Sequence, residues 1–319
     1  MKPPERQDVP LSTDLSIIIV NWNTRDLLAQ CLESIWQNVS TFERSNVETF
    51  VVDNASTDGS AQMVRERFPW VRLIENAENV GFARANNQAI RASSGRYVLL
   101  LNPDTEVRPS ALERLVRFME ATPQAGGGGP RLLNPDGSLQ PSCHPAPTLT
   151  RELWRLFHLD ALRPYALYPM AGWDPETPRP VEVIQGACLL LRRAALEQIG
   201  LLDEGYFIYS EEVDLCYRLR RAGWRLYWLP AARVVHYGGQ STQQVAAEMF
   251  LRLYRGKLLY FRKNHGRLAA QLYKLILLAA ALARLALAPL AWLERSPRRR
   301  RHLALAGRYG RLLRALAGF

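Results

Sequence analysis

Residues 15–22, LSIIIVNW, are apolar almost without interruption and rich in β-branched side chains. Such a run suits a strand covered on both faces in a parallel sheet; a half-exposed strand would alternate apolar and polar positions. The segments that follow repeat the theme. Asn23 or Thr24 can cap a helix over 25–38, whose Leu27, Leu28, Cys31, Leu32 and Ile35 share one face, and 47–52 forms a second strand ending in the polar run DNASTDGS (53–60). Residues 71–74 supply a third strand and RYVLLL (96–101) a fourth. Strands and helices alternating at this rhythm predict right-handed βαβ units and a doubly wound α/β sheet.

In such sheets ligands bind beyond the carboxyl ends of the strands, so Asn21, Trp22, Asn23 and the segment from Asp53 to Ser56 fall in one crevice. No GxGxxG follows the first strand, which argues against a nicotinamide or flavin dehydrogenase. NVGFARANN (79–87) opens a helix, with Gly81 permitting close backbone approach. Asn102-Pro103-Asp104 ends the fourth strand, where an acid after a proline-fixed backbone suits a hard cation. The four glycines 126–129 lack a following GK[ST] and read as a loosened strand and hairpin rather than a phosphate loop. Residues 140–180 are proline-rich and irregular, with one short helix over 149–159, and VEVIQGACLLL (181–191) returns as a strand.

Chemistry-bearing residues are densest in 205–239, GYFIYSEEVDLCYRLRRAGWRLYWLPAARVVHYGG. Aromatic residues lead into Glu211, Glu212 and Asp214, with Ser210 as the expected N-cap; acids in a first helical turn meet the positive end of the helix dipole. Val213, Leu215, Cys216 and Leu219 form an apolar stripe, and Gly223 stops the helix. A strand over 224–229, broken at Pro230, precedes a short apolar run ending in His236. A solvated, well-capped helix explains any single one of these acids equally well.

The run YSEEVDLC (209–216), then Ala222-Gly223-Trp224 and a strand ending in His236, resembles the catalytic half of family-two glycosyltransferases. It is most similar to the rhamnosyltransferase-like branch that builds bacterial cell-surface polysaccharides. The resemblance covers about 14–265 and implies a GT-A fold, with a nucleotide-sugar half (14–133) and an acceptor and catalytic half (134–265); the remaining 266–319 reads as a helical, basic, membrane-associating C-terminal segment. It implies that Glu212, where Asp is commoner, is the general base, with Glu211 and Asp214 as alternatives. It places Asn21, Trp22, Asn23, Asp53, Asn79, Gly81, Asn86, Asn102 and Asp104 around the nucleotide sugar, and Gly186, Ala187 and Trp224 on the acceptor side. Asp104 and His236 would hold Mg²⁺ or Mn²⁺, Asn102 departing from the usual Asp-x-Asp. The implied reaction is inverting transfer of a sugar, rhamnose as best guess, from a nucleoside diphosphate to a saccharide or polyprenyl-linked saccharide. A nucleotidyltransferase would typically carry a glycine-rich basic loop after the first strand, and VNWNTRD is glycine-free; a non-catalytic membrane-associated nucleotide-sugar-binding protein would show no turnover.

At 319 residues, 48% hydrophobic and 22% charged, the chain is long and apolar enough for one large α/β domain with an appendage. Four cysteines without a CxxC pair fit buried thiols in a reducing compartment. The net charge of +11 is uneven: 294–319 holds eight arginines against one glutamate, a net +7. The preceding Leu/Ala-rich 268–293 is interrupted by Lys274, Arg284 and Pro289, leaving uncharged runs shorter than the roughly 18–20 residues of a span. An interfacial helix or hairpin on an anionic membrane is therefore expected, rather than nucleic-acid binding. The N-terminal 14 residues contain no apolar signal core, which predicts a cytoplasmic enzyme held peripherally at the inner face of the cell membrane.

Overall fold

The computed structural model describes residues 13–39, 47–238, 246–289 and 298–319. Four strands, β1 (Leu15–Asn21), β2 (Val47–Asp53), β3 (Val71–Glu75) and β4 (Tyr97–Leu101), pair in parallel in the order β3-β2-β1-β4. Every residue of β1 and β4 is buried, as the unbroken apolar runs require. The sheet then turns mixed. β10 (Cys188–Arg192) lies antiparallel to both β4 and β6 (Ala125–Leu133), and β11 (Arg225–His236) runs parallel to β6. β5 (Thr105–Val107) and β8 (Arg179–Val181) close the edge antiparallel to β11, and β7 (Cys143–His144) pairs with β9 (Val183–Ile184) in a small second sheet.

Helices cover both faces. α1 (Arg25–Val39), α2 (Ser60–Arg67) and α4 (Ala111–Ala121) bury their apolar stripes on one side. α3 (Phe82–Ala92), α6 (Arg193–Ile199), α7 (Glu211–Arg221) and the long α8 (Ala246–Leu287) cover the other. The result is a three-layer GT-A-type α/β fold with a helical C-terminal extension.

Three local readings change. The glycine run is a strand and the chain does turn back beyond it, Leu133 pairing antiparallel with Leu139, but the strand is not loosened: it is the interior of β6, wedged between β10 and β11. A Cβ at Gly126 would meet the Trp224 side chain at 2.6 Å, and one at Gly129 would meet Ile184 at 2.4 Å, so bulky neighbours require the glycines. β11 does not stop at Pro230; it continues through a register shift between Leu229 and Arg233, which places proline where a ladder donor is dispensable. Ser210 sits at the α7 N-cap position but is left-handed (φ 74°) and forms no side-chain cap. The expected cap of the long helix at Ser241 or Thr242 lies outside the described residues.

α8 bends at Gly266 (φ 89°), a conformation glycine adopts freely, into arms 246–265 and 267–287. The second arm and α9 (Arg298–Ala315) are not set apart from the main domain: Tyr273, Leu277, Ala280, Tyr309 and Leu312 join the core that holds α7. A buried polar cluster fixes this packing. Glu152 of α5 (Leu149–Leu156) accepts from Lys257 (2.9 Å) and Tyr273 (3.1 Å) of α8, and from Arg155 (2.7 Å) on its own helix. All four cysteines are free and buried.

Candidate active site

Sheet registry assembles one wall of the site. The β10–β4 ladder ends with Asn102 N–H donating to the Ala187 carbonyl (2.9 Å), which brings Gly186 and Ala187 against Asn102-Pro103-Asp104. Across β5, His236 pairs with Thr105, and Tyr237 N–H donates to the Asp104 carbonyl, so the end of β11 stands beside the acid. His236 Nε2 lies 3.3 Å from Asp104 Oδ1.

Gln140 decides what that nitrogen carries. Its amide nitrogen donates to Asn134 Oδ1 (2.9 Å) and to the His236 carbonyl (3.2 Å), which orients its oxygen onto His236 Nδ1 at 2.7 Å. Nδ1 therefore carries a proton, and in the neutral ring Nε2, which also lies 3.5 Å from Asn102 Nδ2, presents a lone pair towards the Asp104 oxygen. Two electron-pair donors facing one another across 3.3 Å fit a shared cation. Among the described residues no group of three or more His, Cys, Asp or Glu gathers around a possible ion. A two-donor site leaves coordination positions for phosphate oxygens and water, the usual arrangement for Mg²⁺.

The start of α7 supplies another part of the lining. Tyr209 (φ 68°) and Ser210 (φ 74°) are both left-handed, costly for residues with a Cβ, and they turn the chain sharply so that Glu211 and Glu212 enter the cleft on the first helical turn. The strained turn is held from behind by α8, where Gly256 packs so closely that a Cβ there would lie 2.6 Å from the Tyr209 carbonyl oxygen. Phe207 ties the same loop to the nucleotide half: its carbonyl accepts from Phe82 N–H at 2.6 Å, and Gly81 (φ 87°) has no room for a Cβ against it.

Glu211 is buried, Glu212 is partly exposed, and Oε2 of each makes no hydrogen bond within the described protein. Burial, and then the charge of Glu212, raises the Glu211 carboxyl well above the ordinary carboxylate range. Burial also raises Glu212, opposed by backbone hydrogen bonds at the helix start. A carboxylate whose affinity for protons is raised towards neutrality is a better proton acceptor.

Asp104, His236, Glu211, Glu212, Asn102, Trp22, Asn79, Gly186 and Ala187 all line one cleft of about 670 Å³. Other expected residues stand outside it. Asn21 and Asp53 are buried beneath it, Asn21 Nδ2 donating to Asp53 Oδ1 (3.0 Å) and to Ser56 Oγ (3.1 Å), while Asn23 Oδ1 accepts from Thr57 N–H. Asn86 is buried in α3 and donates to the Phe82 carbonyl. Asp214 is held by Arg218 (2.7 Å) and Asn264 (2.8 Å), which removes it as an alternative base. Trp224 does not line the cleft: its ring covers Gly126, and its indole N–H donates to Gln198.

Residues the motif pattern did not single out complete the lining. Asn54 links the strand ends by donating to Asn79 Oδ1 (2.8 Å) and accepting from Val80 N–H and Asn76. Gln185, His144 and Phe207 line the cleft, with Glu248, Met249 and Arg252 from the first arm of α8. The Arg252 guanidinium sits 3.6 Å over the Phe207 ring and pairs with Glu248. Only the polar run after β2 signalled any of these in sequence.

Residues 16–200 match the domain Glycosyl transferase family 2. The chain belongs to that family. This glycosyl transferase family 2 protein is 32% identical over 254 residues to a Mycobacterium tuberculosis N-acetylglucosaminyl-diphospho-decaprenol L-rhamnosyltransferase, covering 74% of this chain and 81% of the relative. It is also 26% identical over 192 residues to Escherichia coli rhamnosyltransferase WbbL, covering 53% and 66%. Among solved structures it shares its fold, at a TM-score of 0.57 and 20% identity, with a Pyrobaculum calidifontis mannosyltransferase in complex with GDP-Man and Mn²⁺, over 98% of this chain and 88% of that one. It is thus a nucleotide-sugar-dependent glycosyltransferase of the rhamnosyltransferase-like group.

Proposed function

We propose that this family 2 enzyme transfers rhamnose from a nucleoside diphosphate donor to a hydroxyl of a polyprenyl-linked saccharide, inverting the anomeric centre. The observation that carries the reading is that one cleft is lined both by Glu211 and Glu212 at a helix start and by the Asp104–His236 pair. Glu212, the more exposed carboxylate, takes the acceptor O–H proton as that oxygen bonds to the anomeric carbon, and the diphosphate departs with the bonding electron pair. Asp104 and His236 would hold Mg²⁺ or Mn²⁺, which when bound supplies the positive charge that neutralises the leaving diphosphate. Trp22, Asn54 and Asn79 form the nucleoside side, supported from beneath by Asn21 and Asp53. Gly186 and Ala187 keep the acceptor side open.

The two rhamnosyltransferase relatives support the sugar, and the mycobacterial relative's printed name supports a lipid-linked acceptor. A lipid-linked acceptor also suits a protein resting on the inner face of the cell membrane through its basic 266–319 segment. The test is a panel of dTDP-, UDP- and GDP-sugars with purified protein, followed by release of nucleotide in the presence of Mn²⁺. Selective turnover of dTDP-rhamnose supports the reading, and binding of none of the nucleotides overturns it.

A further inference from the structure

The second arm of α8 is built inside out. Its helical face towards solvent carries Leu268, Leu272, Leu275 and Leu282, exposed by 73, 42, 58 and 50%. Apart from the exposed Arg267 at its start, its charges point the other way. Lys274 donates to the carbonyl of Phe319, and Arg284 reaches the Leu156 carbonyl while its guanidinium lies 4.6 Å over the Tyr309 ring. The inner face, Tyr273, Leu277, Ala280 and Ala281, is completely buried in the protein core. The end of α5 and the loop after it meet the arm through Leu156 and His158, and the same loop exposes Leu162 (83%) and Leu167 (51%).

By length and composition α8 is able to cross a membrane. Crossing would strip Tyr273 and Leu277 from the core and part Lys274 and Arg284 from their acceptors, so only the outer face is available to lipid. Charge selects the occupant: the stretch that follows the arm, 294–319, holds eight arginines against one glutamate, opposite in sign to anionic phosphate headgroups. A two-fold pairing of this face with its own copy has no such complement.

We propose that the leucine face of the second arm is a docking surface for one leaflet of an anionic bilayer, with the arm lying flat in the headgroup boundary rather than spanning. The proposal rests on the membrane association proposed above, and specifies its surface and orientation.

The experiment uses the full chain with phosphatidylglycerol–phosphatidylcholine vesicles. Wild type is compared with the combined Leu268→Ser, Leu272→Ser, Leu275→Ser and Leu282→Ser variant, whose changes are all at exposed positions and whose nucleotide binding reports correct folding. Vesicle partitioning of the variant is expected to fall at least roughly tenfold, since burying one leucine is worth about that factor. Spin labels on Leu268→Cys, Leu275→Cys and Leu282→Cys, placed singly, are selective because the four native cysteines are buried. They should all report the same shallow depth. In a spanning helix, positions 268 and 282 would differ by about 21 Å along the axis, so graded depths overturn the flat orientation. Equal vesicle binding by wild type and the serine variant removes the leucine face but leaves association through the basic tail. Failure of wild type to bind removes membrane association itself. A wild-type dimer that the serine variant converts to monomer assigns the face to a second copy and overturns the proposal.

Discussion

Gly256→Ala tests whether the strained turn at Tyr209–Ser210 places the catalytic carboxylates. The added methyl carbon would lie 2.6 Å from the Tyr209 carbonyl oxygen and 3.2 Å from Ser210 Oγ. A relaxed C···O contact is about 3.3–3.6 Å, so helix and turn must part by roughly 0.7–1 Å. Overpacking of this kind costs about 1–3 kcal/mol, and alanine returns about 1 kcal/mol over glycine within a helix, leaving a net loss of about 0–2 kcal/mol. The rate should suffer more. Glu211 and Glu212 directly follow the displaced turn, and an ångström of misplacement at a reacting group costs on the order of 10²-fold. The assay is steady-state transfer at saturating donor and acceptor, with thermal unfolding and nucleotide calorimetry alongside. The expected result is a kcat lowered about 100-fold with nucleotide affinity nearly unchanged. A kcat within twofold of wild type would refute the claim that this contact sets the position of the base.

Glu212→Gln preserves shape and the helix start but removes the proton acceptor, so transfer should fall by roughly 10²–10⁴-fold while donor affinity holds; an unchanged rate would leave Glu211 as the base to test. Gln140→Leu releases His236 Nδ1 from the amide that orients it, and should raise the Mn²⁺ concentration for half-maximal nucleotide binding by roughly 10–100-fold; no shift would mean that the imidazole is held well enough without it. Glu211→Gln should stabilise the protein in a pH-dependent way. A carboxyl whose folded pKa is raised favours the folded state fully below the ordinary carboxylate value and loses that contribution as pH rises through the raised value, so the variant's advantage in thermal midpoint should grow from acid towards neutral pH. A pH-independent difference would contradict burial of the charge. Lys257→Met leaves the buried Glu152 with one cation fewer and should cost about 3 kcal/mol, much of it recovered when Glu152→Leu is added, as denaturant titration would show.

The parallel half of the sheet was legible because its evidence is local: β1 and β4 are buried on both faces, and an unbroken apolar run records that directly. The acids of α7 were equally legible, since position in a first helical turn is a short-range property. What escaped depends on contacts distant in sequence. Nothing near Gly126–Gly129 says that Trp224 and Ile184 will crowd them, and nothing near His236 points to Gln140, ninety-six positions away. Asp53 and Trp224 occupied plausible places along the chain, yet Asp53 lies beneath the cleft, accepting from Asn21 and from Ser56 N–H, and Trp224 covers a glycine on another part of the sheet. The same limit applies to α7: three acids within four residues look alike on paper, and only Arg218 and Asn264 distinguish Asp214 from the pair that faces the cleft.

The buried cluster around Glu152 bears on how this enzyme can be recombined with its relatives. Glu152 lies in the irregular stretch between β7 and β8, whereas Lys257 and Tyr273 come from the two arms of α8 more than a hundred residues later. A chimera that imports the irregular stretch alone, in order to change the acceptor, would strand a lysine and a tyrosine hydroxyl in an apolar interior. The two segments therefore behave as one inheritance unit. Grafts that move 140–180 together with 246–287 should yield folded enzymes where grafts of either piece fail.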